Sequence, residues 1–304
     1  MGNGDKCRAS LTGKDWIKTI MHRIVVKLGT NVIMRQDGKV ALGLLCGLVE
    51  QIAALRQQGI EVLLVSSGAV GLGMERLGLT ERPTVVAQVQ ACAAIGQSRL
   101  MALYDDAFDR LGCAIAQVLL TEDDFRDPER HTNLRATLDA LLTLGVIPIV
   151  NENDTVSTAE LDRPADAQRA RSEIAERGER IFGDNDKLSA LLARHIGADL
   201  LVLLSDVDGL YDRNPSEPGA TVLRGVDVID ERILALADGG NGRGRGGMVS
   251  KLESARIALR AGKTVVIANG RTPQVLERIL AGEAVGTRFT PASAHSAALQ
   301  EMAR

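Results

Sequence analysis

Residues 23–30, RIVVKLGT, decide the fold class of this chain. They form a run of β-branched and aliphatic residues that a glycine ends, and residues 61–70, EVLLVSSGAV, repeat the pattern. Neither run alternates apolar with polar residues, which is typical of strands buried on both faces. Strands of this kind, separated by helices, form a mostly parallel sheet between two helix layers. We therefore predict an α/β protein, a three-layer α/β/α sandwich with a mostly parallel central sheet.

The rest of the chain continues the alternation of strands and helices. Further strands are predicted at 114–120, 146–150, 200–205 and 264–268. Helices are predicted at 40–58, 84–111, 130–144, 186–196, 248–261 and 273–280, with Gly96 as a possible break in the second of them. The charged segment 161–182 has no strong apolar period and interrupts this pattern.

Small and polar residues follow the carboxyl ends of four predicted strands. They occupy positions 27–30, 66–69, 151–154 and 205–206. In parallel α/β sheets the ligand binds outside those strand ends, so we expect an active site along this edge. Ordinary turns favour the same residue types, and turn formation is the alternative interpretation.

Three charged residues stand out as candidates for chemistry. Lys27 follows three apolar residues in a buried strand, so its ammonium must reach an anion or extend to the rim of the sheet. Asp186 lies at a predicted helix start in GDNDK, residues 183–187. This segment has more polar residues than helix capping requires. A carboxylate there could orient two lysines. Lys251 follows the glycine-rich residues 238–247, whose amides suit a phosphate or form a surface linker.

The composition argues against two classes of partner. The chain has 304 residues, a formal net charge of −3 and 2% aromatic residues. Binding of single-stranded nucleic acid needs rings for base stacking and a basic surface, so we expect no nucleic-acid partner. No apolar run reaches the roughly 20 residues that a membrane span needs, so we expect no membrane association.

The cysteines and histidines indicate neither disulfides nor a protein-bound metal. Cys7, Cys46, Cys92 and Cys113 have no CxxC spacing, and three of them lie in apolar runs. We therefore expect buried, reduced thiols in a cytoplasmic protein. The four histidines are scattered singly and predict no metal site.

Seven collinear motifs carry a family resemblance. They are VVKLGT at 25–30, VSSGA at 65–69, AIGQ at 94–97, IVNEND at 149–154, GDND at 183–186, LSDVDGLY at 204–211 and GGMVSK at 246–251. On these motifs the chain resembles the amino acid kinase family. NEND and GDND together are typical of its glutamate-phosphorylating branch.

The resemblance implies a phosphotransferase with a carboxyl group as acceptor. It implies transfer of a phosphoryl group from ATP, with Mg²⁺ carried by the nucleotide, to the γ-carboxylate of L-glutamate. The product would be L-glutamyl 5-phosphate, the first intermediate of proline biosynthesis. The resemblance also implies proline as a feedback inhibitor and a homo-oligomer. Two alternatives stay open: a kinase of another small acid in the same fold, and a non-catalytic amino-acid sensor.

The resemblance also implies roles for individual residues. Lys27 and Lys251 would stabilise the transferred phosphoryl group, and Asp186 would hold both lysines. Glutamate would be bound by Ser67, Gly68, Asn151, Asp154 and Asn185, with Asp154 suited to its ammonium group. The nucleotide would contact Lys27, Ser205, Asp206, Arg245, Gly246, Gly247, Met248, Val249, Ser250 and Lys251. With so few rings, we expect an adenine pocket lined by backbone amides and aliphatic side chains.

The expected domain organisation follows from the same motifs. Residues 1–20 would be a disordered extension or the result of a start codon chosen too early, and 21–304 the kinase domain. Within it, 21–196 would bind the acceptor and 197–304 would bind ATP. We expect no C-terminal PUA domain, which many relatives have. The insertion 161–182 would be a lid, an oligomer contact or a surface expansion without effect. Arg245 occupies the position where the family's Gly-Thr-Gly-Gly-Met motif usually has threonine, which leaves its nucleotide contacts open.

Overall fold

A computed structural model describes residues 21–156, 185–237 and 247–291 of the chain. The predictions made for residues 1–20, for the insertion 161–182 and for Arg245 and Gly246 lie outside the described residues.

The described residues form eight strands and ten helices. The strands are β1 Arg23–Leu28, β2 Glu61–Val65, β3 Ile115–Leu120, β4 Ile147–Glu152, β5 Leu200–Ser205, β6 Gly225–Val226, β7 Thr264–Asn269 and β8 Thr287–Phe289. The helices are α1 Thr30–Ile33, α2 Leu42–Gln57, α3 Ala69–Leu77, α4 Val86–Asp109, α5 Asp123–Arg126, α6 Pro128–Thr143, α7 Asn185–His195, α8 Glu231–Ala237, α9 Met248–Arg260 and α10 Val275–Leu280.

All eight strands belong to one sheet, in the order β3-β4-β2-β1-β5-β7-β8-β6. The six strands from β3 to β7 in this order run parallel, and only β8 pairs antiparallel, with β7. The predicted α/β class and the mostly parallel sheet are therefore confirmed. The sequence patterns missed β6 and β8 because both strands are very short.

Side chains of the central strand β1 point alternately into two separate apolar cores. Ile24, Val26 and Leu28 pack into one core, which also contains side chains of α2, α4 and α10. Val25 packs into the other core, together with side chains of α7 and α9. The sheet therefore has a helix layer on each face, and the odd-numbered residues of β1 face α7 and α9.

Three details differ from the sequence predictions. The second strand ends at Val65, and Gly68, with a φ of +100°, precedes α3. Strand β3 is only half-buried because it lies at the edge of the sheet. Cys46 is exposed, so the expectation of a buried thiol was wrong there, whereas Cys92 and Cys113 are buried.

Gly96 does not break the predicted helix, since α4 runs without interruption from Val86 to Asp109. Instead, Gly96 lies directly against α3, and a methyl group at this position would overlap the backbone carbonyl of Ala69. Gly73 of α3 is similarly close to the backbone of Cys92. Both glycines therefore allow the two helices to approach each other closely.

This contact predicts a large difference between two glycine-to-alanine substitutions. Gly96→Ala should lower the free energy of unfolding by about 1–3 kcal/mol, because α3 and α4 must separate. Gly43→Ala, in α2, should be neutral or raise it by up to about 1 kcal/mol, since nothing lies near that position and alanine favours the helix. Urea denaturation of both variants measures this. Equal stabilities would contradict the close contact.

A histidine pair lies where α7 packs near α6. The ring centroids of His195 and His131 are 3.8 Å apart, and within the described part of the chain neither ring nitrogen of His195 has a hydrogen-bond partner. Burial, together with the nearby charges of His131 and Arg135, lowers the pKa of His195 to about 4. His195 is therefore neutral in the folded protein at neutral pH.

The low pKa predicts a pH-dependent loss of stability. Between about pH 6.5 and pH 4 the unfolded chain binds a proton at His195 and the folded chain does not, so stability falls as the pH falls through this window. His195→Leu should flatten this part of the curve. The measurement is the free energy of unfolding against pH for both proteins, and identical slopes would refute the assignment.

Candidate active site

Three charged side chains meet at the carboxyl end of β1. Lys27 Nζ lies 2.7 Å from Asp186 Oδ1, and Lys251 Nζ lies 3.0 Å from Asp186 Oδ2. Asp186 is fully buried in the first turn of α7, and both lysines are nearly so. Each oxygen of one carboxylate therefore holds one ammonium group, which keeps two cations close together at the base of a cleft.

The alternation of side chains along β1 explains why Lys27 reaches this position. Lys27 points to the same face of the sheet as Val25, two residues earlier. Val25 packs with Leu188 of α7 and Leu252 of α9. The strand thus directs Lys27 toward the layer whose helices carry Asp186 and Lys251, at the end where its ammonium leaves the apolar core.

The charge of Asp186 results from two opposed effects. Burial alone would raise the pKa of this carboxyl group, because a dry environment disfavours the charged form. The ammonium groups of Lys27 and Lys251 outweigh burial and lower the pKa below its ordinary value. The carboxylate therefore stays ionised at neutral pH, which suits it to orienting cations rather than to exchanging protons.

A second, neutral cluster adjoins the three charges. Asn185 precedes Asp186, and its Nδ2, which has two protons to donate, faces three acceptors: Ser66 O at 3.0 Å, Ser67 Oγ at 3.0 Å and Asn151 Oδ1 at 2.9 Å. Its Oδ1 has no hydrogen-bond partner among the described residues. Ser67 follows β2 and Asn151 lies in β4, so Asn185 joins two neighbouring strand ends.

One cavity of about 540 Å³ opens above both lysines. On one side it reaches Ser67, and on the other it extends over the β5 end to the start of α9. Its lining includes Lys27, Gly29, Thr30, Asn31, Ser67, Ser205, Asp206, Val207, Gly209, Leu210, Tyr211, Arg213, Asn214, Pro215, Leu236, Ala237, Gly247, Met248 and Lys251. The lining therefore includes both lysines of the charged cluster.

The wall at the end of β5 is held by polar contacts. Asp206 Oδ2 accepts from Asn31 Nδ2 at 2.9 Å, and Asp206 Oδ1 accepts from Ser205 Oγ at 3.1 Å. Burial would raise the pKa of Asp206, but these hydrogen bonds and the charge of Lys251 lower it. A carboxylate therefore borders the cavity, although in the described part of the chain no group of three His, Cys, Asp or Glu side chains could hold a metal ion.

An aromatic ring also lines the cavity. The expectation of an adenine pocket without rings stays a prediction, because the lining does not show which part of the cavity would hold adenine. Tyr211 follows β5 and lies near Leu236 and Ala237 of α8 in the lining. Its hydroxyl donates to Asp208 Oδ2 at 3.1 Å. The low aromatic content of the whole chain gave no information about where its few rings would lie.

The structure places the predicted residues at several positions in and around the cavity. Lys27, Ser67, Ser205, Asp206, Gly247, Met248 and Lys251 line the cavity, and Asn151 and Asn185 lie buried beside Ser67. Gly68 caps the start of α3, next to Ser67. Asp154 lies two residues after β4, half-buried. Val249 and Ser250 are in the first turn of α9 and are not part of the described lining.

Sequence reasoning missed several residues of this region. Asn31, Tyr211 and Arg213–Pro215 lie in loops whose path no periodicity predicts. Gln97 is buried below the site, where its Oε1 accepts from Asn151 Nδ2 at 2.8 Å. Its position was the signal, because a glutamine interrupts the buried apolar face of α4.

A nucleotide-sized cleft at the carboxyl edge of a parallel sheet, with two lysines held by one aspartate, defines a phosphoryl-transfer enzyme of the α/β class. The chain matches the family model for the Amino acid kinase family over residues 22–269. It therefore belongs to the amino acid kinase family.

Curated relatives are similar over nearly the whole chain. A glutamate 5-kinase of Gloeobacter violaceus is 51% identical over 271 residues, which cover 88% of this chain and 68% of the relative. A glutamate 5-kinase of Lactiplantibacillus plantarum is 44% identical over 269 residues and is covered to 96% of its length.

Solved structures show the same fold at low sequence identity. A carbamate kinase from Giardia lamblia, bound to AMP-PNP, superposes with a TM-score of 0.60 at 17% identity and covers 89% of this chain and 99% of its own. An N-acetylglutamate synthase from Neisseria gonorrhoeae gives a TM-score of 0.62 at 16% identity, with 91% of this chain and 62% of its own covered.

The buried charges predict a strong effect of neutralising Asp186. Asp186→Asn leaves two buried ammonium groups without their shared carboxylate, so the free energy of unfolding should fall by about 3–5 kcal/mol. Asp37→Asn is a matched control and should change stability little, since Asp37 forms an exposed ion pair with Arg35 and accepts from the exposed backbone N–H of Lys39. Urea denaturation compares the two variants. Equal losses of stability would contradict a central role for the buried carboxylate.

Proposed function

We propose that this chain transfers the γ-phosphoryl group of ATP to the γ-carboxylate of L-glutamate and releases L-glutamyl 5-phosphate and ADP. This reaction is the first step of proline biosynthesis. The observation that carries the proposal is the Lys27–Asp186–Lys251 cluster beside the Ser67–Asn185 cluster, in a chain 51% identical to a glutamate 5-kinase.

The chemistry matches what the cleft offers. One oxygen of the acceptor carboxylate attacks the γ-phosphorus of ATP, and the bond to the bridging oxygen of ADP breaks. A carboxylate is already ionised at neutral pH, so the step needs no general base. The demand on the protein is positive charge and alignment, which Lys27 and Lys251 supply to the transferred group. Asp186 keeps both ammonium groups in place.

We assign the acceptor to the side of the cavity near Ser67. Ser67 offers a hydroxyl to the cavity, and Asn185 lies buried beside it, with an Oδ1 that has no hydrogen-bond partner among the described residues. Gly68 and Asn151 support them, and Asp154 would face the ammonium group of glutamate. This assignment places the acceptor in the lobe 21–196.

We assign ATP to the lobe 197–304. The start of α9, with Gly247 and Met248, offers the positive end of a helix dipole to phosphates next to Lys251. Ser205 and Asp206 border the same space, and Val249 and Ser250 complete the helix turn. Arg245 and Gly246 precede this turn in the sequence. Mg²⁺ would be carried into this space by the nucleotide and would neutralise part of the phosphate charge.

The proposal extends to regulation, assembly and location, on the basis of the family resemblance of the motifs and the expected reduced cysteines. We propose that proline inhibits the enzyme, that the enzyme is a homo-oligomer, and that it works in the cytoplasm. Among the helices of the described ranges, none combines the length and the apolar character that a membrane crossing requires.

An acceptor screen tests the proposed reaction. With ATP and Mg²⁺, ADP should form with L-glutamate and not with L-aspartate, N-acetyl-L-glutamate or UMP. N-acetyl-L-glutamate is the sharpest comparison because it keeps the γ-carboxylate but lacks the ammonium group that Asp154 would bind. Turnover with any of these compounds but not with glutamate would overturn the proposal. Binding of glutamate and ATP without turnover would instead indicate a sensor.

Replacing one lysine tests the role of the charges. Lys27→Ala removes a cation from the transferred phosphoryl group and should lower kcat by about 100-fold or more, with a smaller effect on the KM for glutamate. Lys39→Ala changes an exposed lysine outside the cavity and should keep the wild-type kcat. A near-normal kcat for Lys27→Ala would remove Lys27 from the mechanism.

A further inference from the structure

Helix α4 directs two polar side chains into the layer beneath the acceptor side of the cavity. Gln97 and Tyr104 are seven residues apart, so they lie on one face of the helix. That face is otherwise apolar, with Val89, Cys92, Ala93, Leu100 and Phe108 buried on it. Gln97 is only 9% exposed and Tyr104 is fully buried. Two polar groups on such a face need partners in the interior.

Their partners are the ends of the two strands that Asn185 joins. Gln97 Oε1 accepts a hydrogen bond from Asn151 Nδ2 at 2.8 Å, at the end of β4. The hydroxyl of Tyr104 lies 2.8 Å from Ser66 Oγ, just after β2. Helix α4 therefore contacts both strand ends through Gln97 and Tyr104, and Asn185 contacts the same two strand ends from α7.

The orientations of the three amides depend on one another. The backbone N–H of Glu152 lies 2.9 Å from Asn151 and can only donate, so the atom facing it is Asn151 Oδ1. The other end of that amide is Nδ2, which donates to Gln97. Asn151 Oδ1 also faces Asn185, whose Nδ2 therefore points into the cluster and leaves its Oδ1 as an acceptor.

We propose that Gln97 is a positioning residue for the acceptor: by accepting from Asn151 it fixes Asn185, which in turn fixes Ser67 at the acceptor side of the cavity. The inference rests on the proposed function. Gln97 does not line the cavity and touches no reacting atom. It acts only through Asn151 and Asn185.

Removing the acceptor at position 97 should disturb this chain of amides. Asn151 Nδ2 would be buried without a partner, which is costly, so Asn151 would turn to find another acceptor. Asn185 would then lose one of its three contacts and its fixed orientation. Glutamate binding should weaken by about tenfold or more, because an unmade buried hydrogen bond is at stake. The lysines and Asp186 are not part of this series of hydrogen-bonded amides. The KM for ATP and the kcat at saturating glutamate should therefore change less than threefold.

The test compares Gln97→Met with Gln97→Glu. A methionine side chain at position 97 has a similar length and no oxygen. A glutamic acid side chain at the same position keeps a carbonyl-type acceptor in either protonation state. Gln97→Met should raise the KM for glutamate, and the Kd of glutamate by calorimetry without ATP, by about tenfold or more. Gln97→Glu should restore both constants to within about threefold of wild type. Gln88→Met makes the same change at an exposed position of α4 and should leave both constants unchanged.

Three outcomes would overturn the inference. The first is an unchanged glutamate constant in Gln97→Met, and the second is an equal weakening in Gln97→Glu. The third is a parallel loss of glutamate binding, ATP binding and thermal stability, which would indicate a structural role only. If Gln97→Met does not fold, Gln97→Asn withdraws the same acceptor by one methylene and carries the same expectations.

The wild-type enzyme separates the failure of this inference from the failure of the proposed function. If the wild-type protein neither binds nor phosphorylates glutamate, the proposed function is wrong and the inference falls with it. If the wild-type protein is active and Gln97→Met behaves like Gln88→Met, only the inference is wrong.

Discussion

The sharing of one buried carboxylate by two lysines is the interaction on which the site depends. Lys27 comes from the central strand, Asp186 from the start of α7 and Lys251 from the start of α9, and they meet within 3.0 Å contacts. Burying three charges is costly unless each has its partner in good geometry. Helices α7 and α9 must therefore both begin at the carboxyl end of β1. This condition fixes how the helix layer that contains α7 and α9 lies on the sheet.

The same interaction prepares the cleft for phosphate. Two ammonium groups face one carboxylate, so positive charge remains at the base of the cavity even though Asp186 is ionised. Asp206 borders the cavity at the end of β5, where the charge of Lys251 contributes to lowering the pKa of its carboxyl group. A polyanionic ligand enters an arrangement whose cations are already held in place, so little reorganisation is required when charge develops during transfer.

The parts of the site that the sequence predicted are those with a physical constraint written into a local pattern. The ammonium group of a lysine inside a buried strand must reach an anion or the rim of the sheet, and Lys27 indeed lies against a carboxylate. A strand followed by small residues ends at the ligand edge, which located Ser67 and Ser205. Contacts between distant elements leave no such local pattern. Gly96 was predicted as a possible break because glycine weakens helices, and only the proximity of α3 shows that it permits a close contact.

Gly96 and Gln97 are consecutive residues, and their contacts connect the packing of α4 to the acceptor side of the cavity. Gly96 lies against the carbonyl of Ala69, which is two residues after Ser67. Gln97 accepts from Asn151 in β4. One turn of α4 therefore contacts the start of α3 through Gly96 and the end of β4 through Gln97. Because a methyl group at position 96 would push α4 away from α3, it would also move the backbone that carries Gln97, the residue that accepts from Asn151.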